Sequence, residues 1–159
     1  MSGRCTLKCG FDRWGMRRGD IVYCDLLGAW EHTGIYAGRG KIIHLVNELN
    51  QYGKDGKIVS SDAREFVNRC GGMNPSSSIY VACEADGSHV GYPFYATRAE
   101  QLRRMHRGYG YDLILKNCHQ FTSKCIGCEE HIVFPFWNLE KHLREDYDFD
   151  HWEECMGMT

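Results

Sequence analysis

The sequence predicts an α+β domain in which an antiparallel β-sheet packs against helices. Short β-rich segments dominate the first half of the 159-residue chain, and helix-forming segments follow in the second half. Hydrophobic residues make up 43% and charged residues 25%, which is the composition of an ordinary soluble globular domain and excludes disorder over most of the length. The length suits one domain.

Four strands are predicted before residue 90. They cover residues 21–24, 31–37, 41–46 and 79–83, which are rich in branched and aromatic side chains. Gly38-Arg39-Gly40 is a strong turn signal, so residues 31–46 are predicted to form a β-hairpin. Residues 50–60 are polar and Gly-rich and are predicted as a loop, whereas the pattern of residues 62–69 favours neither a helix nor a strand.

The first helix of the second half is predicted from a capping pattern. Thr97 and Glu100 have the spacing of a capping box, in which the threonine holds a backbone amide and the glutamate reaches back. This pattern predicts a helix over about residues 98–107. A last helix is expected over about residues 137–144.

A short helix is predicted over about residues 118–126. Asn117 stands where an N-cap residue would stand. The helix would place Cys118, Phe121 and Cys125 along one stripe, because these positions are three and seven residues apart.

The charge pattern divides the chain into three segments. Residues 1–18 are interpreted as a loosely held basic arm, residues 19–144 as the folded domain, and residues 145–159 as an acidic tail. The basic side chains of the arm are Arg4, Lys8, Arg13, Arg17 and Arg18.

Charge and hydropathy also limit the partners and the compartment. The chain has 19 basic and 21 acidic residues, a net charge of −2, so nucleic acid is not expected as a partner. No apolar run approaches the roughly 20 residues that a membrane helix needs. No basic segment followed by an apolar one opens the chain, so a cytoplasmic location is expected.

Nine cysteines are an unusual number for a chain with these features. An odd count without a secretory signal argues against a complete disulfide framework. We therefore expect reduced thiols, most of them small buried side chains.

Cys118 is the strongest candidate for a reactive thiol. As the first residue of a helix, it would meet unpaired amides and the positive end of the helix dipole. Both favour the thiolate, which is the nucleophilic form, and the same amides could stabilise an oxyanion. The alternative is a buried structural cysteine.

Two histidines of the predicted hairpin could assist such a thiol. A turn centred on residue 39 makes His32 and His44 near cross-strand partners, about one diagonal step apart on one face. One imidazole could then act as a base and the other could orient it. The alternative is a pair of half-buried strand histidines bonded to backbone.

Four segments together resemble the lecithin:retinol acyltransferase (LRAT) family, which includes the HRAS-like suppressor phospholipase/acyltransferases. The resemblance covers about residues 17–127. The four segments are Gly19-Asp20-Ile21-Val22, Glu31-His32-Thr33-Gly34-Ile35-Tyr36-Ala37-Gly38, Lys41-Ile42-Ile43-His44-Leu45 and Asn117-Cys118-His119-Gln120-Phe121.

The resemblance implies a circularly permuted NlpC/P60 fold, which is papain-like, and thiol catalysis through an acyl-enzyme. It implies Cys118 as the nucleophile, His32 as the general base and His44 as the residue that orients it, with no cofactor. The implied substrate is a glycerophospholipid ester, cleaved by an acyltransferase or by a phospholipase of the A1/A2 type. The family pattern has glutamate after the cysteine, where this chain has His119.

Other readings stay open at this point. The same three residues could cleave peptide amides, as in a cysteine peptidase or amidase of the wider superfamily, or the fold could serve as a non-catalytic binding module. The partner is therefore a lipid or another acyl substrate.

A transient membrane-surface contact is a further alternative. A basic stretch over residues 98–107 could touch anionic headgroups, although such a stretch is more typical of a solvated helix face. Its basic side chains are Arg98, Arg103, Arg104, His106 and Arg107.

A structural zinc site is a weaker hypothesis. Cys125 and Cys128 form a CxxC motif with His131 nearby, and Cys5 and Cys9 could complete the ligand set. A single CxxC is a weak signal and Cys125 falls on the apolar helix stripe, so no metal is predicted.

Overall fold

The structure, a computed structural model, describes residues 11–26, 30–46, 57–68, 78–106, 118–127 and 136–155. These residues form one antiparallel sheet and four helices, which confirms the α+β class. In chain order the elements are β1 (Ile21–Leu26), β2 (Trp30–Gly38), β3 (Lys41–Val46), β4 (Lys57–Ser61), α1 (Ala63–Asn68), β5 (Ile79–Cys83), α2 (Pro93–Met105), α3 (Cys118–Cys125), α4 (Phe136–Asp146) and β6 (His151–Glu154).

The strands lie in the order β4-β3-β2-β1-β5-β6, each antiparallel to its neighbour. The predicted hairpin is confirmed, with Ile35 opposite Ile43 and Tyr36 opposite Ile42. Its turn needs left-handed backbone at three successive residues, and glycine occupies the first and last of them, at φ values of 89° and 73°. The turn chemistry therefore sets the register of the whole hairpin.

The sheet buries apolar side chains on both faces. One face packs against α2, α3 and α4, where Phe121 of α3 and Leu139 of α4 meet Ile35 of β2. The other face packs against α1 through Phe66, which is fully buried among apolar side chains of β1, β2, β3 and β5. None of the helices in the described ranges combines the length and apolar character needed to cross a bilayer.

The start predicted for the helix over about residues 98–107, which corresponds to α2, was wrong. α2 begins at Pro93 rather than near residue 98, because proline at the first helical position already has the required φ and lacks an amide that would need a partner. Thr97 therefore lies inside the helix, where its hydroxyl is 3.5 Å from the Pro93 carbonyl. Glu100 pairs with Arg18 at 2.6 Å instead of reaching back to a cap.

A reciprocal capping box opens α1, which the sequence left unassigned. The amide of Glu65 donates to Asp62 Oδ1 at 2.8 Å, and the amide of Asp62 donates to Glu65 Oε2 at 3.1 Å. Just before it, residues 57–61 form β4 and pair with β3, so the loop predicted over residues 50–60 was wrong for its last four residues.

Both ends of the described chain pack against the sheet. Residues 1–18 were predicted to form a loosely held basic arm. Within this range Met16 is fully buried, and Arg17 donates to the carbonyls of His89 and Gly91. Arg4 and Lys8 lie outside the described residues. At the other end β6, a strand that was not predicted, pairs with β5, and Phe149 is buried beside it.

Candidate active site

The β2–β3 hairpin brings His32 and His44 into contact. The Nε2 atom of His32 lies 2.7 Å from Nδ1 of His44, and the two rings meet edge to face at 84°. Both side chains point to the face of the sheet that packs against α1, and both residues are buried. The predicted neighbourhood of the two histidines is therefore present.

Ser61 of β4 extends this pair to a third side chain. Its Oγ lies 2.9 Å from Nε2 of His44, and Ser61 is fully buried. A consistent proton arrangement has His32 Nε2–H donating to His44 Nδ1 and His44 Nε2–H donating to Ser61. In this arrangement Nδ1 is the basic nitrogen of His32.

Phe66 of α1 holds both imidazoles in place. Its ring centroid lies 4.9 Å from that of His32 and 5.0 Å from that of His44. Because Phe66 is fully buried, neither ring can turn without disturbing the core. The capping box of α1 thus contributes indirectly to the orientation of the histidine pair.

Cys118 is the first residue of α3, as predicted. It is the one cysteine that is not buried among the five in the described ranges. The others are Cys24, Cys83, Cys125 and Cys155. A partly exposed thiol at a helix start can meet a substrate and has helix amides beside it. The predicted N-cap Asn117 lies outside the described residues.

A chain of hydroxyls fastens the first turn of α3 to β2. Thr122 Oγ1 donates to Thr33 Oγ1 at 3.0 Å, and Thr33 Oγ1 lies 3.1 Å from Nδ1 of His119. Thr33 follows His32 in β2, so this turn lies at the end of β2 that carries His32. Thr33 contacts α3, whereas the ring of His32 contacts Phe66 on the α1 side.

His119 is a neutral side chain at this position. Burial lowers its pKa to about 4, so the imidazole carries no charge at pH 7. Thr33 Oγ1 accepts the hydroxyl of Thr122, and a consistent proton arrangement has Thr33 donating its own proton to His119 Nδ1, which then carries no hydrogen. Cys118 Sγ lies 3.8 Å from this same nitrogen. The residue that directly follows Cys118 is therefore neutral.

Cys125, one ligand of the weaker zinc hypothesis, is fully buried on the apolar stripe of α3. Burial also raises the pKa of its thiol. The other residues of that hypothesis lie outside the described residues, namely Cys5, Cys9, Cys128 and His131. Arg107 of the basic stretch also lies outside them.

Sequence reasoning missed Ser61, Thr33 and His119 as parts of this site. Ser61 lies one residue beyond the loop predicted over residues 50–60, and nothing local links it to a histidine 17 residues earlier. Thr33 and His119 are 86 positions apart. Only the position of His119 beside Cys118 was a signal in the sequence.

Comparison with known proteins identifies one family whose model covers the residues of this site. Residues 15–131 match the family model described as lecithin retinol acyltransferase. The matched span is 117 of the 159 residues and includes His32, His44 and Cys118. Searches of curated proteins and of solved structures find no match.

Proposed function

Because this chain belongs to the lecithin retinol acyltransferase (LRAT) family, whose domain has the NlpC/P60-like fold, we propose that it transfers or hydrolyses acyl groups through a thioester on Cys118. Acyltransferase and phospholipase-type activity is characteristic of the family. Our proposal adds glycerophospholipid esters as the substrate and assigns roles to three residues. The observation that supports these roles best is the contact between His32 and His44, continued to Ser61, at the end of β2 where the neighbouring Thr33 contacts α3.

The first half-reaction starts with a proton transfer. His32 Nδ1 takes the proton of the Cys118 thiol, and the thiolate attacks the ester carbonyl carbon. Backbone amides of the first turn of α3 stabilise the resulting oxyanion. The ester C–O bond then breaks, and the His32 imidazolium gives its proton to the leaving alcohol.

His44 and Ser61 are positioning residues in this scheme. Their hydrogen bonds keep the proton of His32 on Nε2, so Nδ1 stays available as the base. When His32 becomes an imidazolium, the acceptor on its Nε2–H side is already in place.

The second half-reaction releases the acyl group. His32 removes a proton from water or from an amine or hydroxyl acceptor, which attacks the thioester carbonyl and regenerates the thiol. Water makes the protein a hydrolase, and an acceptor molecule makes it an acyltransferase.

Exposed aromatic side chains near the site favour an apolar substrate. Phe136 at the start of α4 lies 5.5 Å from the ring of His119, and the adjacent Trp137 is 61% exposed. Elsewhere on the surface, Tyr92 just before α2 and Phe94 within α2 are also largely exposed, with the Arg98 guanidinium 5.6 Å from the Phe94 ring centroid. A lipid surface would cover such side chains during a transient contact.

Intact-protein mass spectrometry tests the proposal. The protein is mixed with phosphatidylcholine vesicles, and we expect an added acyl mass on Cys118 together with released fatty acid. The Cys118→Ala variant should show neither, and Cys155→Ala, which removes a buried thiol next to β6, should show both. An adduct from an activated peptide amide but none from phosphatidylcholine would favour the peptidase or amidase alternative. No adduct from either would contradict the thioester mechanism.

A further inference from the structure

A second group of reactive side chains lies where β5 pairs with β6. Cys83 of β5 stands directly opposite His151 of β6, and Glu153 projects from the same face of β6 two residues later. The Cys83 sulfur is 3.7 Å from Oε2 of Glu153, and Nε2 of His151 is 3.9 Å from that oxygen. One potential ligand atom from each of the three side chains lies within 4.8 Å of the other two.

The orientation of His151 is set from its other side. Its Nδ1 lies 3.0 Å from Oδ2 of Asp150, which directs Nε2 towards Glu153 and Cys83. Histidines that bind metals usually donate their second ring N–H to a carboxylate in this way, which fixes the tautomer and the ring plane.

We propose that Cys83, His151 and Glu153 bind a divalent transition metal ion, with zinc as the preferred ion. Thiolate, imidazole and carboxylate are the three ligand types that zinc takes in proteins, whereas a sulfur ligand disfavours magnesium and calcium. The side chains of His151 and Glu153 are 42% and 58% exposed, so water can take the fourth position. Asp150 acts as the outer carboxylate that orients His151.

The binding reaction is balanced in charge and in protons. In the metal-free protein Cys83 is a neutral thiol, because burial and the Glu153 carboxylate raise its pKa to about 12. On binding, the S–H bond breaks, a metal–sulfur bond forms, and the proton leaves to solvent. The thiolate and the carboxylate then neutralise the two positive charges of the ion.

The geometry needs only a small adjustment. Ligand atoms around a tetrahedral zinc ion lie about 3.5 Å from one another. Here the two contacts to Glu153 are 3.7 and 3.9 Å, and all three atoms lie within 4.8 Å of one another. His151 and Glu153 are surface side chains and can turn inward while Cys83 stays in place. The ion would join the outermost strand of the sheet to its neighbour, so it should stabilise the folded chain.

Cobalt substitution of the full-length protein tests the proposal. The metal-free chain is titrated with Co²⁺, and we expect one equivalent of Co²⁺ to bind per chain. Its near-ultraviolet absorption should report a sulfur–cobalt bond, and Zn²⁺ should displace it. That equivalent should be lost in Cys83→Ser and in His151→Gln. It should be retained in Cys118→Ser, which removes the partly exposed thiol, and in His142→Gln, which removes a histidine of α4.

Thermal melting gives a second readout that does not depend on the buried cysteine. A hundredfold excess of Zn²⁺ over the dissociation constant should raise the melting temperature by roughly 5–10 °C. The surface variants His151→Gln and Glu153→Gln should lose most of this rise. Unchanged binding stoichiometry in Cys83→Ser and His151→Gln, or no bound equivalent in the native chain, would overturn the proposal. Neither outcome depends on acyl chemistry at Cys118.

Discussion

Ser61 Oγ lies 2.9 Å from Nε2 of His44, and this contact joins β4 to the imidazole pair of the β2–β3 hairpin. Both residues are fully buried, so no bulk water can replace the hydroxyl if it is removed. When the serine oxygen accepts the Nε2–H of His44, Nδ1 of His44 is left free of hydrogen and accepts the Nε2–H of His32. A residue of this kind acts on catalysis without touching the substrate.

Ser61→Ala should lower kcat for acyl release on the order of tenfold while KM changes little, because His44 Nε2–H loses its acceptor and the alternative tautomer becomes accessible. Fatty-acid release from phosphatidylcholine vesicles measures both constants. Ser61→Thr keeps the hydroxyl and should retain most of the activity. Ser60→Ala, on the same strand with its side chain on the other face, is the matched control. Equal activity in Ser61→Ala and Ser60→Ala would show that Ser61 does not position the histidine pair for catalysis.

The pH dependence of thiol alkylation tests the proposed contact between Cys118 and His32. If the imidazole accepts the thiol proton, the native protein should react with iodoacetamide well below the ordinary thiol pKa of about 8.5. His32→Asn should move the alkylation midpoint of Cys118 up towards that value. His142→Asn serves as the control histidine. Identical profiles for the native protein and His32→Asn would show that His32 is not the base.

His119 should make the folded protein less stable in acid. Burial lowers the pKa of His119 to about 4 in the folded protein, against an ordinary value of 6.5. Between these two pH values the imidazole is therefore protonated in the unfolded chain but neutral in the folded chain. The contribution of the neutral His119 side chain to the free energy of unfolding is fully present above pH 6.5. The free energy of unfolding should fall by up to about 3 kcal/mol between pH 6.5 and pH 4.

Urea unfolding at several pH values measures this effect. His119→Asn offers an amide oxygen to the Thr33 hydroxyl and does not titrate, so its stability should depend less on pH over this range. Parallel curves for the native protein and His119→Asn would mean that the imidazole is protonated in the folded state.

Gly34 lies beneath the histidine pair with no room for a side chain. A Cβ added there would lie 2.9 Å from the carbonyl oxygen of Ile43 and 3.1 Å from Cβ of His44. Gly34→Ala should therefore destabilise the fold by about 1–3 kcal/mol and displace His44, with a loss of kcat in the protein that remains folded.

Gly87→Ala is the comparison for Gly34→Ala. Gly87 has a φ of 83° and open space around the added Cβ, so alanine should cost stability through backbone strain while the site stays intact. Differential scanning calorimetry and activity per folded molecule separate the two effects. Equal activity per folded molecule in both variants would contradict the role assigned to the close packing at Gly34.

The elements that the sequence predicted correctly are those specified by neighbouring residues. The turn at Gly38-Arg39-Gly40 sets the register of the hairpin, and the register alone brings His32 and His44 together. The helix that begins at Cys118 could be predicted for the same reason, since its stripe of buried residues repeats at helical spacing.

The errors arose where two local signals competed. Thr97 and Glu100 have the spacing of a capping box, yet Pro93 starts that helix earlier and Arg18 binds the glutamate. A real capping box formed at Asp62 and Glu65, in a segment to which the sequence assigned no structure. Spacing alone cannot rank such signals, because the contacts that decide between them come from distant parts of the chain.

The sequence by itself determined the α+β class, the hairpin with its two histidines, the helix that opens at Cys118 and the membership of the family. Only the tertiary structure decided that Ser61 bonds to His44, that His119 is neutral and bonded to Thr33, and that Cys83 faces His151 and Glu153. The physical reason is the separation along the chain of the residues that interact. Turns and helices depend on residues a few positions apart, whereas burial and hydrogen-bond partners depend on side chains that only the folded sheet brings together.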